Sequence, residues 1–227
     1  MPPGLVHSSP PPAGLPERWN TLCQRVGAFK DADEADLTLD MLLAFYSHPP
    51  RAYHNLAHIA QVLGALDGVS MLAENLDAVE FAVWLHDCVY YPLRPDNEDR
   101  SADAAAMIAG LLGCAPAFAA RVRECILVTR HSTPPGRGDT ALVADLDLTI
   151  LGSPLAEYDS YRREIRAEFA FAEDALFVEG RAAFVRRMLD KPGVFATPHF
   201  KRLLQDAARD NLYRELDDLE AGIASPA

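Results

Sequence analysis

Apolar residues recur at helical spacing along almost the entire chain, and this periodicity limits what the chain can fold into. No run alternates apolar and polar residues for long enough to indicate a β-sheet. Connectors rich in proline and glycine separate the helical stretches. The pattern is clearest in the first two, which carry Trp19, Leu22, Val26 and Phe29, and then Leu37, Met41, Leu42 and Phe45. The sequence therefore predicts an all-α helical bundle.

These connectors divide the chain into ten predicted helical segments and one non-helical arm. Residues 1–16 are rich in proline, serine and glycine, and we expect them to form a disordered N-terminal arm, not a secretion signal. Residues 17–222 are expected to form a single domain with additional helices at its C-terminal end. The predicted helices span residues 17–29, 34–46, 55–68, 76–89, 98–112, 116–130, 140–151, 155–171, 176–189 and 198–219.

Composition narrows the possible partners. The formal charge of −12 disfavours binding to a nucleic acid polymer, although a small phosphorylated substrate remains compatible with local positive charge in one pocket. No apolar run is long enough to predict a membrane span. The four cysteines have no CxxC spacing, so we expect free thiols in a reducing cytoplasm, where we place the protein. The sequence gives no indication of its oligomeric state.

Two histidine-containing segments indicate a metal site. His54 and His58 are four residues apart, so on one helix they would share a face. His86 and Asp87 follow the apolar run 81–85, where an unpaired carboxylate would cost several kcal/mol. A divalent ion would satisfy the doublet, and mixed imidazole and carboxylate donors suit Mn, Fe, Co, Ni or Zn. Mg is a further possibility for the cofactor.

A further ligand is predicted between residues 143 and 151, which contain two aspartates. Val143, Ile150 and Leu151 lie at helical spacing from Asp147, which places Asp147 on the apolar face. Asp145 shares its face with Ala141 and Thr149 and is expected to be less buried. We therefore favour Asp147 as the ligand and Asp145 as its neighbour, although a shift in helix phase would exchange them.

Four ordered blocks resemble a bacterial subgroup of the HD superfamily of predicted metal-dependent phosphohydrolases. The blocks are RxYHNxxH at 51–58, WLHDxVY at 84–90, DNExxSA at 96–102 and DxDLxILG at 145–152, and the resemblance extends over residues 51–211. It implies an all-helical HD fold with a metal held by His58, His86, Asp87 and a distal aspartate. The family pattern of a histidine followed by x-x-x-Val fits His58 better than His54. His131 lies where some two-metal members have further histidines.

The resemblance further implies hydrolysis of a phosphate ester or anhydride by a metal-activated water, with a nucleotide or another small phosphorylated metabolite as substrate. His54 is a candidate acid or base, and Asp96 and Glu98 could position water or protonate the leaving group. Arg51 could clamp the phosphate. Further candidates for substrate binding are His131, Tyr161 and Arg166.

Each of these interpretations has a competing one. Asp96 and Glu98 could simply cap and charge the start of a helix, and residues 158–168 could be a solvated or salt-bridged helix face. The same metal site could support hydratase or oxygenase chemistry on a substrate without phosphate. The protein could also be a non-catalytic regulatory module that binds a metal or a nucleotide.

Overall fold

The computed structural model describes residues 12–27 and 33–226, and this part of the chain contains ten α-helices and no strand. The predicted all-α class is therefore confirmed. The helices are α1 Leu15–Val26, α2 Asp33–Tyr46, α3 Leu56–Val69, α4 Leu76–Leu85, α5 Asn97–Leu111, α6 Pro116–Leu127, α7 Asp139–Asp147, α8 Leu155–Glu168, α9 Asp174–Leu189 and α10 Pro198–Glu220. Short 3₁₀ segments span Ser70–Leu72, Val128–Arg130 and Leu148–Gly152.

Local sequence signals fix several of the helix ends. The Asn55 side chain accepts a hydrogen bond of 2.8 Å from the Ala57 amide and caps α3, as the sequence predicts. Helix α1 begins at Leu15, two residues before the predicted start, with a proline in its first turn. Most of the predicted arm, residues 1–11, lies outside the described residues, as does Phe29. Helix α4 ends at Leu85, earlier than predicted.

Helix α4 lies at the centre of the bundle, where it contacts α1, α3, α5, α6 and α7. It is apolar on nearly all sides, and every residue from Ala78 to Leu85 is buried. The indole ring of Trp19 lies 5.4 Å from the rings of both Phe81 and Trp84. A helix that buries its whole circumference holds its C-terminal end firmly within the protein.

Helix α10 packs against α9 and against the 3₁₀ segment that follows α7. The backbones approach closely at Gly152, where an added Cβ would lie 2.7 Å from the Cβ of Leu204. This contact fixes the direction of the chain after Asp147. All four cysteines are free thiols. In the described part of the chain, no helix combines the length and apolar character needed to cross a bilayer.

Candidate metal centre

Four side chains predicted to be metal ligands lie close together, and each is at or near the end of a helix. His58 is in the first turn of α3, His86 caps the C-terminal end of α4 and Asp87 follows it, and Asp147 is the last residue of α7. Helices α3, α4 and α7 contact one another in pairs, which brings the three ends together. The predicted grouping of these four side chains is confirmed.

One potential ligand atom from each side chain lies within 4.8 Å of the other three. The Nε2 atoms of His58 and His86 are 3.3 Å apart. His86 Nε2 lies 3.1 Å from Asp87 Oδ2 and 3.4 Å from Asp147 Oδ1, and His58 Nε2 is 3.8 and 3.6 Å from the same two atoms. Donors bound to one ion at about 2.0–2.2 Å are separated by roughly 3–4 Å, so the donor set fits one divalent cation.

Hydrogen bonding orients one of the two histidines. Nδ1 of the buried His86 donates to the Val83 carbonyl oxygen at 2.9 Å, which leaves Nε2 facing the other three side chains. Such a bond from the second ring nitrogen is the usual support of a metal-bound histidine. Nδ1 of His58 is buried without a hydrogen-bond partner in the described part of the chain. Packing against Tyr53, at 4.8 Å between ring centroids, holds the His58 ring instead.

A third histidine supports Asp147 from outside the cluster. His131 Nε2 lies 2.8 Å from Asp147 Oδ2, while Asp147 Oδ1 faces His58 and His86. His131 follows the 3₁₀ segment after α6 and has a left-handed backbone with φ of 52°. The structure therefore places the predicted substrate-binding residue His131 beside a candidate ligand, where it orients the carboxylate.

The electrostatics of the cluster favour a cation. Burial lowers the pKa of His58 to about 4, and the neighbouring His86 contributes to this shift. Burial also acts to lower the pKa of His86, but the carboxylates of Asp87 and Asp147 outweigh it and leave that pKa well above its usual range. Without a metal, the cluster at neutral pH therefore holds one protonated imidazole beside two carboxylates. A divalent ion could displace that proton and balance both negative charges.

The choice of Asp147 over Asp145 agrees with the structure, but the predicted difference in burial is wrong. Asp145 is only 1% exposed and is the more buried of the two. Its oxygens accept hydrogen bonds from the amides of Ala196 at 2.6 Å and Thr197 at 2.7 Å, at the start of α10. Asp145 thus joins α7 to α10 and lies outside the four-residue cluster.

A cavity of about 690 Å³ opens onto the candidate ligands. Asp87 and Asp147 form part of its surface, whereas His58 and His86 lie behind them. The cavity therefore gives a small molecule access to the carboxylate side of the cluster. Four further residues predicted from the sequence to serve the site also line it, namely His54, Glu98, His131 and Tyr161.

His54 does not share a helix face with His58, because α3 begins only at Leu56. Its Nδ1 instead donates to Glu168 Oε2 at 2.7 Å, and the ring stacks on Tyr90 at 4.2 Å between centroids. Glu168 is fully buried and also accepts the Tyr90 hydroxyl at 2.9 Å. The interpretation of residues 158–168 as a solvated or salt-bridged helix face did not include this contact with His54. In the amino-acid sequence, the only indication of this contact is that Glu168 lies at helical spacing from Tyr161.

Arg51 is not placed to clamp a phosphate. Its Nη1 donates to the carbonyl oxygens of His54 at 2.7 Å and Asp87 at 2.8 Å, and its Nη2 donates to that of Cys88 at 2.9 Å. The guanidinium thus joins the segment before α3 to the segment after α4. Arg51 does not line the cavity, and it acts by positioning the chain around two of the site residues.

Asp96 and Arg166 also lie away from the cavity. Asp96 pairs with Arg94 at 2.8 Å and Arg100 at 2.7 Å, and these bonds hold the pKa of its carboxyl well below the usual range. It therefore cannot supply a proton near neutral pH. Arg166 binds Asp174 at 2.6 Å and two backbone carbonyls that follow α8. Both predicted site residues have structural roles.

Glu98 and Tyr161 remain candidates for the site because both face the cavity. Burial, with a contribution from the Asp87 carboxylate, raises the pKa of Glu98 above its usual value. The ring of Tyr161 lies 4.7 Å from that of Tyr53, which in turn contacts His58. Glu98 could therefore exchange a proton with a bound molecule, and Tyr161 extends the wall beside the cluster.

Comparisons of the chain with protein-family models, with curated proteins and with solved structures found no match. The resemblance to HD phosphohydrolases therefore depends on the four sequence blocks. The structure adds an all-α fold and a group of four side chains, His58, His86, Asp87 and Asp147, that could hold a metal ion.

Proposed function

We propose that the protein is a metal-dependent phosphohydrolase of the HD type that acts on a nucleotide or another small phosphorylated metabolite. The observation that carries the proposal is the convergence of two histidines and two aspartates at the surface of a cavity of about 690 Å³. Cavities of roughly 300–1,000 Å³ are typical of small-molecule sites. The ligand order along the chain also follows the sequence blocks of that superfamily.

The four side chains have separate tasks in this proposal. His58 and His86 would hold a metal from the protein side, and Asp87 and Asp147 from the cavity side. His131 keeps the Asp147 carboxylate in one orientation. A divalent ion bound there would lower the pKa of a coordinated water and offset the negative charge of the phosphoryl oxygens.

His54 is the best-positioned residue for proton transfer. Because Nδ1–H is bound to Glu168, the Nε2 atom is the one left to accept or donate a proton. Burial acts to lower the pKa of His54, but the hydrogen bond to Glu168 outweighs it and the pKa is raised. A raised pKa increases the protonated fraction near neutral pH, which suits protonation of a leaving-group oxygen. Glu98 is the alternative proton donor.

The test is a metal analysis of the purified protein followed by hydrolysis assays. Phosphomonoesters, phosphodiesters and nucleotides would be supplied with Mg, Mn, Co, Ni or Zn. We expect metal-stimulated release of phosphate or nucleoside that is lost in Asp147→Ala and His86→Ala. Asp96→Asn is the matched control, because Asp96 is outside the cavity and should retain activity. Absence of metal-dependent turnover across the panel would contradict the proposal.

Chemistry on a substrate without phosphate is the second candidate. It is favoured by the contacts of Arg51, predicted to clamp phosphate, and of Arg166, predicted to bind substrate, with backbone carbonyls. The same four ligands could serve such a reaction, since ligands alone do not select it. Hydrolysis of a phosphate ester that vanadate inhibits would support the first candidate, whereas metal binding without hydrolysis of any phosphate ester would support the second.

A further inference from the structure

Helices α8 and α9 provide a wall of the cavity whose chemistry differs from that of the metal cluster. Tyr161 and Ile165 line it from α8, and Phe169, the residue after the helix, continues the four-residue spacing. On α9, the lining positions recur between residues 176 and 187, also at helical spacing. The larger part of this wall is apolar, and its apolar side chains include Ile165, Phe169, Leu176, Phe177, Ala183 and Phe184.

The polar groups on this wall are mostly charged, namely Glu179, Arg181 and Arg187 beside the phenol of Tyr161, and Arg181 is already bound to Glu215 at 2.8 Å. Among the described residues of α8 and α9, no serine, threonine, asparagine or glutamine lines the cavity. Elsewhere on its surface, Thr129 donates to the Ile126 carbonyl at 2.8 Å and Asn97 bonds to backbone atoms of Tyr91. Neutral donors and acceptors, which the edges of a polar ring would need in exchange for water, are therefore scarce on this wall.

Gly180 keeps part of this wall open. It lies inside α9, where a glycine weakens the helix relative to alanine. An added Cβ would meet nothing within 4 Å, so the space beside Gly180 belongs to the cavity. Any larger side chain at this position would reduce the volume available to a ligand.

Strained backbone also occurs around the cavity. Among the described residues, the two non-glycine residues with positive φ are Leu93 and His131, and both line it. Leu93 has a φ of 73° and is 71% exposed, and Leu176 from α9 is 59% exposed. Unfavourable backbone that holds an apolar side chain at a cavity is often retained for a binding role.

We infer that the substrate carries a large apolar group, which binds against α8 and α9 while its anionic end is held at the metal cluster. This inference rests on the proposed function for the identity of the anionic end. The volume of about 690 Å³ leaves room for a substantial group beyond a phosphate. Arg187, which is exposed on the same wall, contributes positive charge toward an anionic ligand.

The experiment compares benzylphosphonate with methylphosphonate, which share an anionic head and differ in apolar area. Binding is measured by calorimetry on protein loaded with the divalent ion that it binds most tightly. We expect benzylphosphonate to bind on the order of tenfold more tightly, because its ring is removed from water. Gly180→Leu should abolish this preference by filling the space beside α9. Gly64→Leu is the matched control, since Gly64 is also helical, exposed and without neighbours within 4 Å.

Equal affinities for the two phosphonates, or no binding of either, would overturn the inference. A preference that persists in Gly180→Leu would also overturn the inference, as would a preference that Gly64→Leu abolishes to the same extent. Hydrolysis assays keep the two proposals apart. A preference for benzylphosphonate without hydrolysis of any phosphate ester would support the apolar site and contradict the phosphohydrolase, and hydrolysis without the preference would do the reverse.

Discussion

Two of the regions in which the protein buries charged side chains neutralise those charges differently. In the C-terminal region, Glu215 on α10 accepts hydrogen bonds from Arg181 at 2.8 Å and from the Tyr158 hydroxyl. Arg162 lies 3.7 Å from Glu215 and donates to Asp218 at 2.8 Å. Asp159, 3.6 Å from Arg162 and 2.8 Å from Arg214, completes a set of three arginines and three carboxylates, so the charges of this ion-pair cluster balance within the protein.

The metal cluster has no such balance. Its two carboxylates face two imidazoles, and burial keeps His58 neutral at neutral pH. Asp87 and Asp147 also line a cavity, whereas Glu215 is only 2% exposed and lies behind α9. The comparison shows that burial of charge alone does not identify a functional site. Incomplete neutralisation beside an accessible cavity is the feature that indicates a ligand.

The largest effect is expected from Asp147→Ala. Loss of this carboxylate should lower metal affinity by more than about 100-fold, since even partners outside the ligand shell contribute roughly 10–100-fold. Calorimetric titration with divalent ions measures the change. The Glu215→Leu variant should bind metal as tightly as the wild type, because the ion-pair cluster holds no ligand. Equal losses in both variants would show that the two regions are not independent.

Glu215→Leu should cause the largest loss of stability. Removal of Glu215 leaves Arg181 buried without its partner, which costs about 3–5 kcal/mol. Burial acts to raise the pKa of Glu215, but Arg181 outweighs it and the pKa is lowered. The stabilisation is therefore complete above the ordinary glutamate pKa of about 4.3 and is lost as pH falls through the folded value. Urea unfolding of both proteins at several pH values tests this, and a gap that widens in acid would contradict it.

A divalent ion should stabilise the protein through the metal cluster alone. At a free concentration 100 times the dissociation constant, the gain in the free energy of unfolding is about 2.7 kcal/mol. Thermal or urea unfolding with and without metal measures it. The gain should disappear in Asp147→Ala and persist in Glu215→Leu. Stabilisation of Asp147→Ala by the same ion would place the binding site elsewhere.

Asp145→Asn should have a smaller effect, and only on stability. An amide cannot accept from both backbone N–H groups of Ala196 and Thr197 as the carboxylate does, so we expect a loss of about 1–3 kcal/mol. Metal affinity should be unchanged, in contrast to Asp147→Ala. The exposed Asp96→Asn variant is the control for replacing a carboxylate by an amide. A marked loss of metal affinity in Asp145→Asn would reopen the choice between the two aspartates.

Several site residues could be predicted because short-range rules govern them. Helical periodicity gave the ten helices, and the Asn55 cap fixed the start of α3. The grouping of His86 with Asp87 was inferred from a polar doublet that follows the apolar run 81–85. His58 and Asp147 do lie in the four-residue cluster, although Asp147 was chosen on a burial argument that Asp145 contradicts.

The partners of several charged side chains could not be predicted in the same way. The long side chains of Arg51 and Arg166 can reach several partners, and the fold places backbone carbonyls within their reach. Asp96 is short, but the long side chains of Arg94 and Arg100 reach it. The role of Glu168 was not predicted, because the residues around it in sequence are typical of a solvated or salt-bridged helix face. Only the fold brings His54 and Tyr90 into contact with its carboxylate.

The sequence by itself determined the all-α class, the helix pattern and the kinds of side chain that could bind a metal, because each depends on residues close together in the chain. Only the tertiary structure decided which of them meet. Contacts between α3, α4 and α7 bring His58, His86, Asp87 and Asp147 within 4.8 Å of one another, and the packing of α8 and α9 forms the apolar wall beside them. Such distances depend on how helices remote in sequence pack, and local spacing does not encode them.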